Sequence, residues 1–258
     1  RELKGGGMRG SFSRRFTENA PAIGTLVTLD SLEVAEMISL CGFDWVFIDM
    51  EHSVLSIASV QRIVQVTCST CSTIVRVPEN SPTWIKKVLD TGCDGIIVPL
   101  VNSAAEARRA VDASRYPPTG TRSVGIGRAH AYGMSFADYV ARANDDITVI
   151  IQIEHIQAVA NLDEILEVEG IDAILIGPYD LSASMGMTGA FDRPEFMAVI
   201  ERILAECKAH GIPCGMHVVM PDAGMLQMRI DQGYRFIAYS IDAVFLRDST
   251  NCPLSRNY

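Results

Sequence analysis

The sequence lacks an apolar run long enough to cross a membrane. Its 258 residues contain no stretch near the ~20 consecutive apolar residues that a transmembrane helix needs. The basic, glycine-rich N-terminus also lacks the apolar core of a signal peptide. We therefore expect a cytoplasmic protein with no membrane partner.

Clusters of basic residues are missing as well. The formal net charge of -9 at pH 7 would repel a phosphate backbone, and the pairs Arg14-Arg15 and Lys86-Lys87 are too short to offset it. This balance of charge excludes nucleic acid as an expected partner.

A disulfide framework is absent too. The seven cysteines are odd in number and scattered through apolar segments, which is typical of reduced, buried thiols. Cys68 and Cys71 form a C-x-x-C, but without a second pair or a nearby histidine this is a weak signal for zinc or redox chemistry. Stability must then come from a core, which a hydrophobic content of 48% can supply.

Short apolar runs alternate with longer amphipathic stretches along the chain. Runs rich in Ile and Val are typical of strands buried on both faces. The predicted strands are Ile23-Leu29, Trp45-Asp49, Thr73-Val77, Gly95-Pro99, Thr148-Glu154, Ala173-Gly177, Pro213-His217 and Phe236-Ser240. About eight strands, each followed by a helix, predict an α/β (β/α)8 TIM barrel, with a doubly wound sheet as the structural rival.

The segments between these strands predict helices, several of which are followed by a glycine that would end them. They are Ser31-Cys41, Ile57-Cys68, Pro82-Thr91, Ala104-Ser114, Ala158-Val168, Pro194-His210 and Pro221-Gln232. Because no Pro/Ser-rich linker divides this array, we expect one barrel domain over 21–258 after a flexible segment over 1–20. The stretch Tyr116-Gly133 predicts a long loop over one end of the barrel.

Several predicted strands end in polar residues. Such residues are not expected inside a barrel unless they have a function. In barrel enzymes the C-terminal ends of the strands build the active site. The side chains concerned are Asp49, Glu51, His52, Arg76, Gln152, Glu154 and Asp180.

Glu154 and Asp180 follow adjacent strands and would point into the same mouth. Two carboxylates, with the remaining positions left to water and substrate oxygens, favour Mg²⁺ or Mn²⁺ over zinc. The alternative is that each carboxylate only caps the helix that follows.

Arg76 and the histidines complete the candidates. Arg76 would emerge beside the metal and pair with a substrate carboxylate or an enolate oxygen, or it would form a structural ion pair with Asp49 or Glu51. His52 could exchange a proton near neutral pH. His130 and His217 are also expected near the mouth, whereas His155 and His210 are interpreted as solvated helix residues.

Five short motifs containing these candidate residues, or lying in the predicted loop, follow one another along the chain. They are Gly42-Phe-Asp-Trp-Val-Phe-Ile-Asp-Met-Glu-His52, Val75-Arg-Val-Pro78, Tyr116-Pro-Pro-Thr-Gly-Thr-Arg122, Gln152-Ile-Glu154 and Gly177-Pro-Tyr-Asp-Leu-Ser182. From about Ile23 to Leu246 the chain resembles the HpcH/HpaI aldolases, of the 2-dehydro-3-deoxyglucarate and 4-hydroxy-2-oxoheptanedioate aldolase type.

This resemblance implies a barrel of the phosphoenolpyruvate/pyruvate type and a role for each matching residue. Glu154 and Asp180 would bind a divalent metal, Mg²⁺ or Mn²⁺ with Co²⁺ as a further option. Arg76 would stabilise the enolate, His52 would take part in acid-base steps, and Asp90 would orient that histidine. The residues expected to line the substrate site are Asp49, Gln152, Gly177, Pro178 and Tyr179.

The implied reaction is a class II aldol cleavage of a 4-hydroxy-2-oxo acid into pyruvate and an aldehyde, in which the metal acts as a Lewis acid. The partner is thus a small 2-oxo acid. A Schiff-base mechanism is not expected, because Lys86, Lys87 and Lys208 all fall in predicted helices.

Other functions use the same fold. Oxaloacetate decarboxylation, or a synthase that traps the enolate, would share the site, and Arg128, His130 and Tyr132 would then contact a bulkier acceptor. A non-catalytic acid-binding protein is disfavoured because the candidate site residues are intact. A CoA-thioester lyase is disfavoured because no basic patch suits a nucleotide diphosphate.

The sequence departs from the family pattern at three places. Tyr179 is bulky where many relatives carry a small residue, and His217 occupies a position that is commonly apolar, so both could change which aldehyde is accepted. The resemblance implies a homo-oligomer, a trimer or hexamer. The chain after Leu246 is short for the long final helix that relatives exchange between subunits, which leaves the hexamer open.

Overall fold

The computed structural model of the chain describes residues 12–17 and 21–250. The strands are β1 Ala22–Val27, β2 Trp45–Asp49, β3 Ser72–Arg76, β4 Gly95–Val98, β5 Thr148–Ile153, β6 Ala173–Ile176, β7 Cys214–Val218 and β8 Phe236–Ile241. The helices are α1 Leu32–Leu40, α2 Ile57–Thr67, α3 Pro82–Leu89, α4 Ala104–Ser114, α5 Phe136–Asp146, α6 Ile156–Ala160, α7 Leu162–Leu166, α8 Pro178–Ser184, α9 Pro194–Ala209, α10 Ala223–Gln232 and α11 Asp242–Ser249. None of the helices in these ranges is long and apolar enough to cross a membrane.

The eight strands close into a barrel in chain order, and β8 pairs with β1. Every neighbouring pair is parallel. The predicted TIM barrel is therefore confirmed, and the doubly wound alternative is wrong. Parallel strands joined by helices are buried on both faces, which is why they appear in the sequence as continuous apolar runs.

Alternate residues of each strand face two different cores, as β2 illustrates. Trp45 and Phe47 pack inside the barrel, whereas Val46 and Ile48 belong to the layer between the barrel and its helices. This period of two lets one short strand contribute to both layers.

A 3₁₀ helix over Phe12–Thr17 closes the N-terminal end of the barrel. Phe12 packs on Trp45 with ring centroids 5.6 Å apart, and Phe16 stacks on Phe236 at 4.9 Å. Both phenylalanines are buried, so this part of the segment predicted to be flexible is packed against the inner core. Residues 1–11 and 18–20 of that segment lie outside the described residues. The C-terminal end of the barrel, where the strands end, is the mouth.

The helices differ from the prediction in a few places. The single helix predicted over Ala158-Val168 is two short helices, α6 and α7, which meet at Asn161. Asn161 Nδ2 donates to Asn102 O at 2.8 Å. Helices α5, α8 and α11 were not predicted, because α5 follows the long loop and the other two begin directly after a strand.

Candidate active site at the barrel mouth

Arg76 and Asp49 form a buried ion pair at the open end of the barrel. Asp49 is the last residue of β2 and Arg76 the last of β3, and the register of the two strands pairs them directly. Arg76 Nε donates to Asp49 Oδ1 at 2.8 Å, and Nη2 donates to Oδ2 at 2.7 Å. The structural ion pair considered for Arg76 is thus present, and its two parallel hydrogen bonds hold the guanidinium in one orientation.

The same guanidinium reaches two further side chains. Arg76 Nη1 donates to Gln152 Oε1 at 3.3 Å, and Nε lies 3.2 Å from Glu51 Oε2. Burial opposes the ionisation of Asp49, but the hydrogen bonds and charge of Arg76 outweigh it and lower the pKa of Asp49. The pair therefore stays charged at neutral pH, and Arg76 presents a fixed cation to the mouth.

Glu154 lies just beyond β5 and is 2% exposed. Its Oε1 accepts a hydrogen bond from Leu100 N at 2.7 Å, and its Oε2 accepts one from Gln152 Nε2. The carboxylate does not cap the helix that follows, because His155 occupies the cap position of α6. These contacts hold the Glu154 carboxylate in one orientation.

Asp180 is the third residue of α8 and lines the mouth. The cap position of α8 belongs to Gly177, and no side chain caps it. Burial raises the pKa of Glu154, and the negative charge of Asp180 adds to this rise while Leu100, Gln152 and Arg76 oppose it. The two carboxylates are therefore close enough to repel each other, as the ligands of a cation are.

Glu51 is a third carboxylate of this group, predicted from its place at a strand end and as a partner for Arg76. Burial raises its pKa to about 7; Arg76 opposes the rise, while Glu154, Asp49 and Asp180 add to it. Among the described residues, none forms a hydrogen bond with Glu51 Oε2. Its signal in the sequence was the same as that of Glu154, an acidic residue just past a strand end.

The mouth contains a cavity of about 420 Å³, a size typical of small-molecule sites. Of the residues predicted at the site, those that do not line this cavity are Glu51, Asp90, His130 and Glu154. The lining residues are Leu26, Thr28, Phe47, Asp49, His52, Arg76, Gln152, Leu175, Ile176, Gly177, Pro178, Tyr179, Asp180, His217, Val219 and Ile241.

His52 and Tyr179 stand at the rim of the cavity. The His52 side chain is 61% exposed, and its Nε2 lies 3.6 Å from Glu51 Oε2. The Tyr179 ring packs edge-on against Phe191 with centroids 4.9 Å apart. Tyr179 therefore has a packing partner outside the cavity while it also lines the cavity.

Asp90 and His130 lie at the other end of the barrel. Asp90 follows α3, which runs back from the mouth, and its carboxylate accepts a hydrogen bond from Arg122 Nη2 at 2.8 Å. His130 is fully buried, with Nε2 3.3 Å from Tyr116 Oη. The expected contact of Asp90 with His52 is therefore not made within one chain, and the placement of His130 near the mouth is wrong.

The long loop explains this misplacement. Tyr116-Gly133 lies between α4, which runs back from the mouth, and α5, which precedes β5, so it crosses the N-terminal end of the barrel and carries a 3₁₀ helix over Arg128–Gly133. Arg128 Nη1 donates to Thr91 O at 2.6 Å, and Nη2 donates to Cys68 Sγ at 3.3 Å. Cys68 is therefore a thiol, and its C-x-x-C is not a disulfide.

Within the described ranges, one group of three side chains has the spacing of a metal site outside the mouth. Oxygen and nitrogen atoms of Asp163, Glu206 and His210 lie within 4.8 Å of one another on α7 and at the end of α9. Asp163 and His210 are exposed, and exposed acidic groups of this kind are common without an ion. We assign no role to this group.

Comparison with known proteins shows the family of the chain. Residues 23–249 match the family described as HpcH/HpaI aldolase/citrate lyase. The chain is 38% identical over 236 residues to the 2-dehydro-3,6-dideoxy-6-sulfogluconate aldolase of Pseudomonas putida, with 91% of each chain covered. It is 37% identical over 251 residues to a 4-hydroxy-2-oxo-heptane-1,7-dioate aldolase of Escherichia coli, covering 96% of this chain and 95% of that one.

A solved structure agrees as well. A HpcH/HpaI aldolase/citrate lyase family protein from Burkholderia cenocepacia superposes with a TM-score of 0.88 at 30% identity, covering 92% of this chain and 95% of that one.

Proposed function

Because this chain belongs to the HpcH/HpaI aldolase/citrate lyase family and is an aldolase, we propose that its barrel mouth cleaves a 4-hydroxy-2-oxo acid into pyruvate and an aldehyde. The observation that carries this proposal is the grouping of one fixed cation, Arg76, with three carboxylates, Glu51, Glu154 and Asp180, at the barrel mouth. The carboxylate and keto oxygens of a substrate would pair with Arg76 and with a cation held by the carboxylates.

The carboxylates fit a hard divalent cation. Glu154 and Asp180 would hold it, because both offer carboxylate oxygens at the mouth and their mutual repulsion is relieved by a positive ion. Glu51 Oε2, which accepts no hydrogen bond among the described residues, adds a third negative group to this site. Mg²⁺ or Mn²⁺ suits this oxygen donor set, and Co²⁺ is a further option. When bound, the ion supplies Lewis-acid stabilisation of negative charge on the substrate.

Arg76 and Gln152 would bind the pyruvate half. Arg76 is held by Asp49, so its remaining donors can pair with the substrate carboxylate or the enolate oxygen without reorganising. Gln152 is held between Arg76 and Glu154. Gly177 and Pro178 line the cavity beside these two side chains.

His52 would act on the aldehyde half. Cleavage requires removal of the proton from the C4 hydroxyl; the C3–C4 bond then breaks, its electron pair forms the pyruvate enolate, and the aldehyde leaves. His52 stands at the rim with Nε2 close to Glu51, where an imidazole can accept that proton at neutral pH. Protonation of the enolate at C3 then gives pyruvate.

Oxaloacetate decarboxylation would pass through the same enolate. The two curated relatives described above are both named aldolases, so aldol cleavage is the favoured reaction.

The test is metal-dependent release of pyruvate. Metal-stripped protein is given a panel of 4-hydroxy-2-oxo acids and oxaloacetate, and pyruvate is followed before and after Mg²⁺ or Mn²⁺ is added. We expect metal-dependent cleavage of a hydroxy-oxo acid that Glu154→Gln and Asp180→Asn each abolish. Asp163→Asn is the matched control, because it removes a carboxylate from the outer group and should leave activity intact.

Each other result has a definite meaning. Pyruvate from oxaloacetate alone would replace the aldolase reaction with decarboxylation. Activity that survives chelation and both mouth substitutions would refute the metal assignment, and loss in Asp163→Asn alone would move the metal to the outer group.

We also propose that the chain forms a homo-oligomer, a trimer or hexamer. Helix α10 has no fully buried side chain, and its Met225 and Met228 are 38% and 40% exposed. Light scattering on the eluting protein would contradict this proposal if it gave the monomer mass. The expected cytoplasmic location stays a prediction.

A further inference from the structure

His217 is a polar side chain on the cavity wall that the proposed cleavage does not use. It is the fourth residue of β7, is partly exposed and lines the same cavity as Arg76. Its Nε2 lies 3.3 Å from the backbone oxygen of Ser240. A carbonyl oxygen can only accept a hydrogen bond, so Nε2 carries a proton and donates it.

The other ring nitrogen of His217 is then an acceptor. Burial lowers the pKa of His217 to about 4; the contact with Ser240 opposes this change and the charge of Arg76 adds to it. At neutral pH the imidazole is therefore uncharged and has a single N–H, which Ser240 uses. Nδ1 is left with a lone pair and no proton.

Thr28 provides a second acceptor on the same side of the cavity. It follows β1, which is joined to β7 through β8, and it also lines the cavity. Its Oγ1 donates to Asp242 Oδ1 at 2.7 Å, and its backbone N–H donates to Asp242 Oδ2 at 2.8 Å. Because Asp242 takes the hydroxyl proton, the Oγ1 lone pairs remain to accept a hydrogen bond.

The neighbouring residues on this wall are apolar: Leu26, Val219 and Ile241. A ligand group placed here meets two acceptors and no donor among these five side chains. An alkyl chain would leave both acceptors unpaired, and a carboxylate has only acceptors of its own. A hydroxyl group is the simple substituent that can donate to one of these acceptors, and a second hydroxyl would satisfy the other.

We propose that His217 and Thr28 select an aldehyde half that carries a hydroxyl group, so that the substrate is a polyhydroxylated 2-oxo acid rather than one with an alkyl chain. This inference rests on the proposed function, because it assigns the aldehyde half to the wall formed by β7, β8 and β1. It concerns selection of substrate and not the chemical step itself.

The experiment runs the reaction in the direction of synthesis with two aldehydes of nearly equal size. Pyruvate and Mg²⁺ or Mn²⁺ are supplied with glycolaldehyde or with propanal, which differ by one hydroxyl in place of one methyl, and concentrations are corrected for aldehyde hydration. We expect kcat/KM for glycolaldehyde to exceed that for propanal by about tenfold or more, the scale of one neutral hydrogen bond. His217→Leu should reduce this ratio about tenfold, and Thr28→Val should also reduce it.

The matched control is His210→Leu, an exposed histidine at the end of α9, for which the ratio should equal that of the unsubstituted protein. A ratio near one in the unsubstituted protein would overturn the inference. So would a ratio that neither His217→Leu nor Thr28→Val changes. If His217→Leu does not fold, Thr28→Val decides alone.

A separate readout distinguishes failure of the proposed function. Exchange of the pyruvate methyl protons for deuterium in D2O reports enolate formation without any aldehyde. Metal-dependent exchange together with no preference for glycolaldehyde would refute only the selection by His217 and Thr28. If there is no metal-dependent exchange, both the proposed function and this inference fail.

Discussion

Gly177 lies so close to Glu154 that a methyl group on its Cα would come within 2.9 Å of both Cβ and Oε2 of Glu154. The backbone of Gly177 has an ordinary φ of −95°, so the need for glycine here is one of space and not of backbone conformation. Gly177, between β6 and α8, therefore leaves the space that the Glu154 side chain occupies just after β5.

Gly177→Ala should displace Glu154 while the barrel stays folded. We expect a rise in the metal concentration needed for half-maximal activity and a fall in kcat/KM of about tenfold or more, as for loss of a group that positions a metal ligand. Titration of activity with Mn²⁺ measures both. Gly125→Ala is the control, because its methyl would meet nothing within 4 Å; equal metal titrations for the two variants would contradict the prediction.

Arg76→Lys should keep a positive charge but lose the paired hydrogen bonds to Asp49. A lysine ammonium group cannot form the two parallel hydrogen bonds that orient a guanidinium, so its position is less fixed. Stabilisation of the enolate should then weaken, and kcat/KM should fall about 100-fold. Steady-state kinetics measure the change. Arg62→Lys is the matched control, because that arginine forms an exposed ion pair with Asp30; a similarly small effect of both substitutions would show that the orientation of Arg76 is unimportant.

Asp49→Asn should make the free energy of unfolding less dependent on pH in the acid range. The pKa of Asp49 is lowered in the folded protein, so its contribution is present above its unfolded pKa of about 3.9 and is lost as pH falls through the lower, folded pKa. At pH 7 we expect a loss of about 3 kcal/mol, since the substitution leaves the buried Arg76 without the charge of its doubly hydrogen-bonded partner.

Denaturant unfolding at several pH values tests this sign. The difference in unfolding free energy between the unsubstituted protein and Asp49→Asn should shrink as pH falls below about 4. A difference that stays constant or grows in acid would contradict the predicted direction.

Phe16→Ala should destabilise the barrel from its N-terminal end. The ring is buried and stacks on Phe236, so its removal should leave a cavity and cost about 3 kcal/mol. Denaturant unfolding measures the loss. Met134→Ala, at a side chain that is 87% exposed, should change stability little, and an equal loss in both variants would argue against packing of the 3₁₀ helix in the barrel.

The sequence by itself determined the architecture and most of the site. The strands could be predicted because both faces of a barrel strand are buried, which leaves a continuous apolar run such as that of β5. Polar residues that end such runs, among them Arg76, Glu154 and Asp180, stand out because a barrel interior excludes them unless they lie at its mouth. The aldolase family followed from these residues and is confirmed by the relatives.

Only the tertiary structure decided which side chains meet across elements. The register of β2 and β3 joins Asp49 to Arg76, and the packing of β5 beside β6 brings Gly177 against Glu154. Neither contact has a local pattern in the sequence, because the partners are 27 and 23 residues apart.

Closure of the barrel also decided what lies away from the mouth. His130 belongs to the loop that follows α4 and Asp90 follows α3; both helices return from the mouth, so both residues lie at the N-terminal end of the barrel. The position of a loop in the sequence does not show which end of a barrel the loop covers. The end is set by the direction in which the preceding strand or helix runs. That direction is fixed by the closed ring of eight parallel strands.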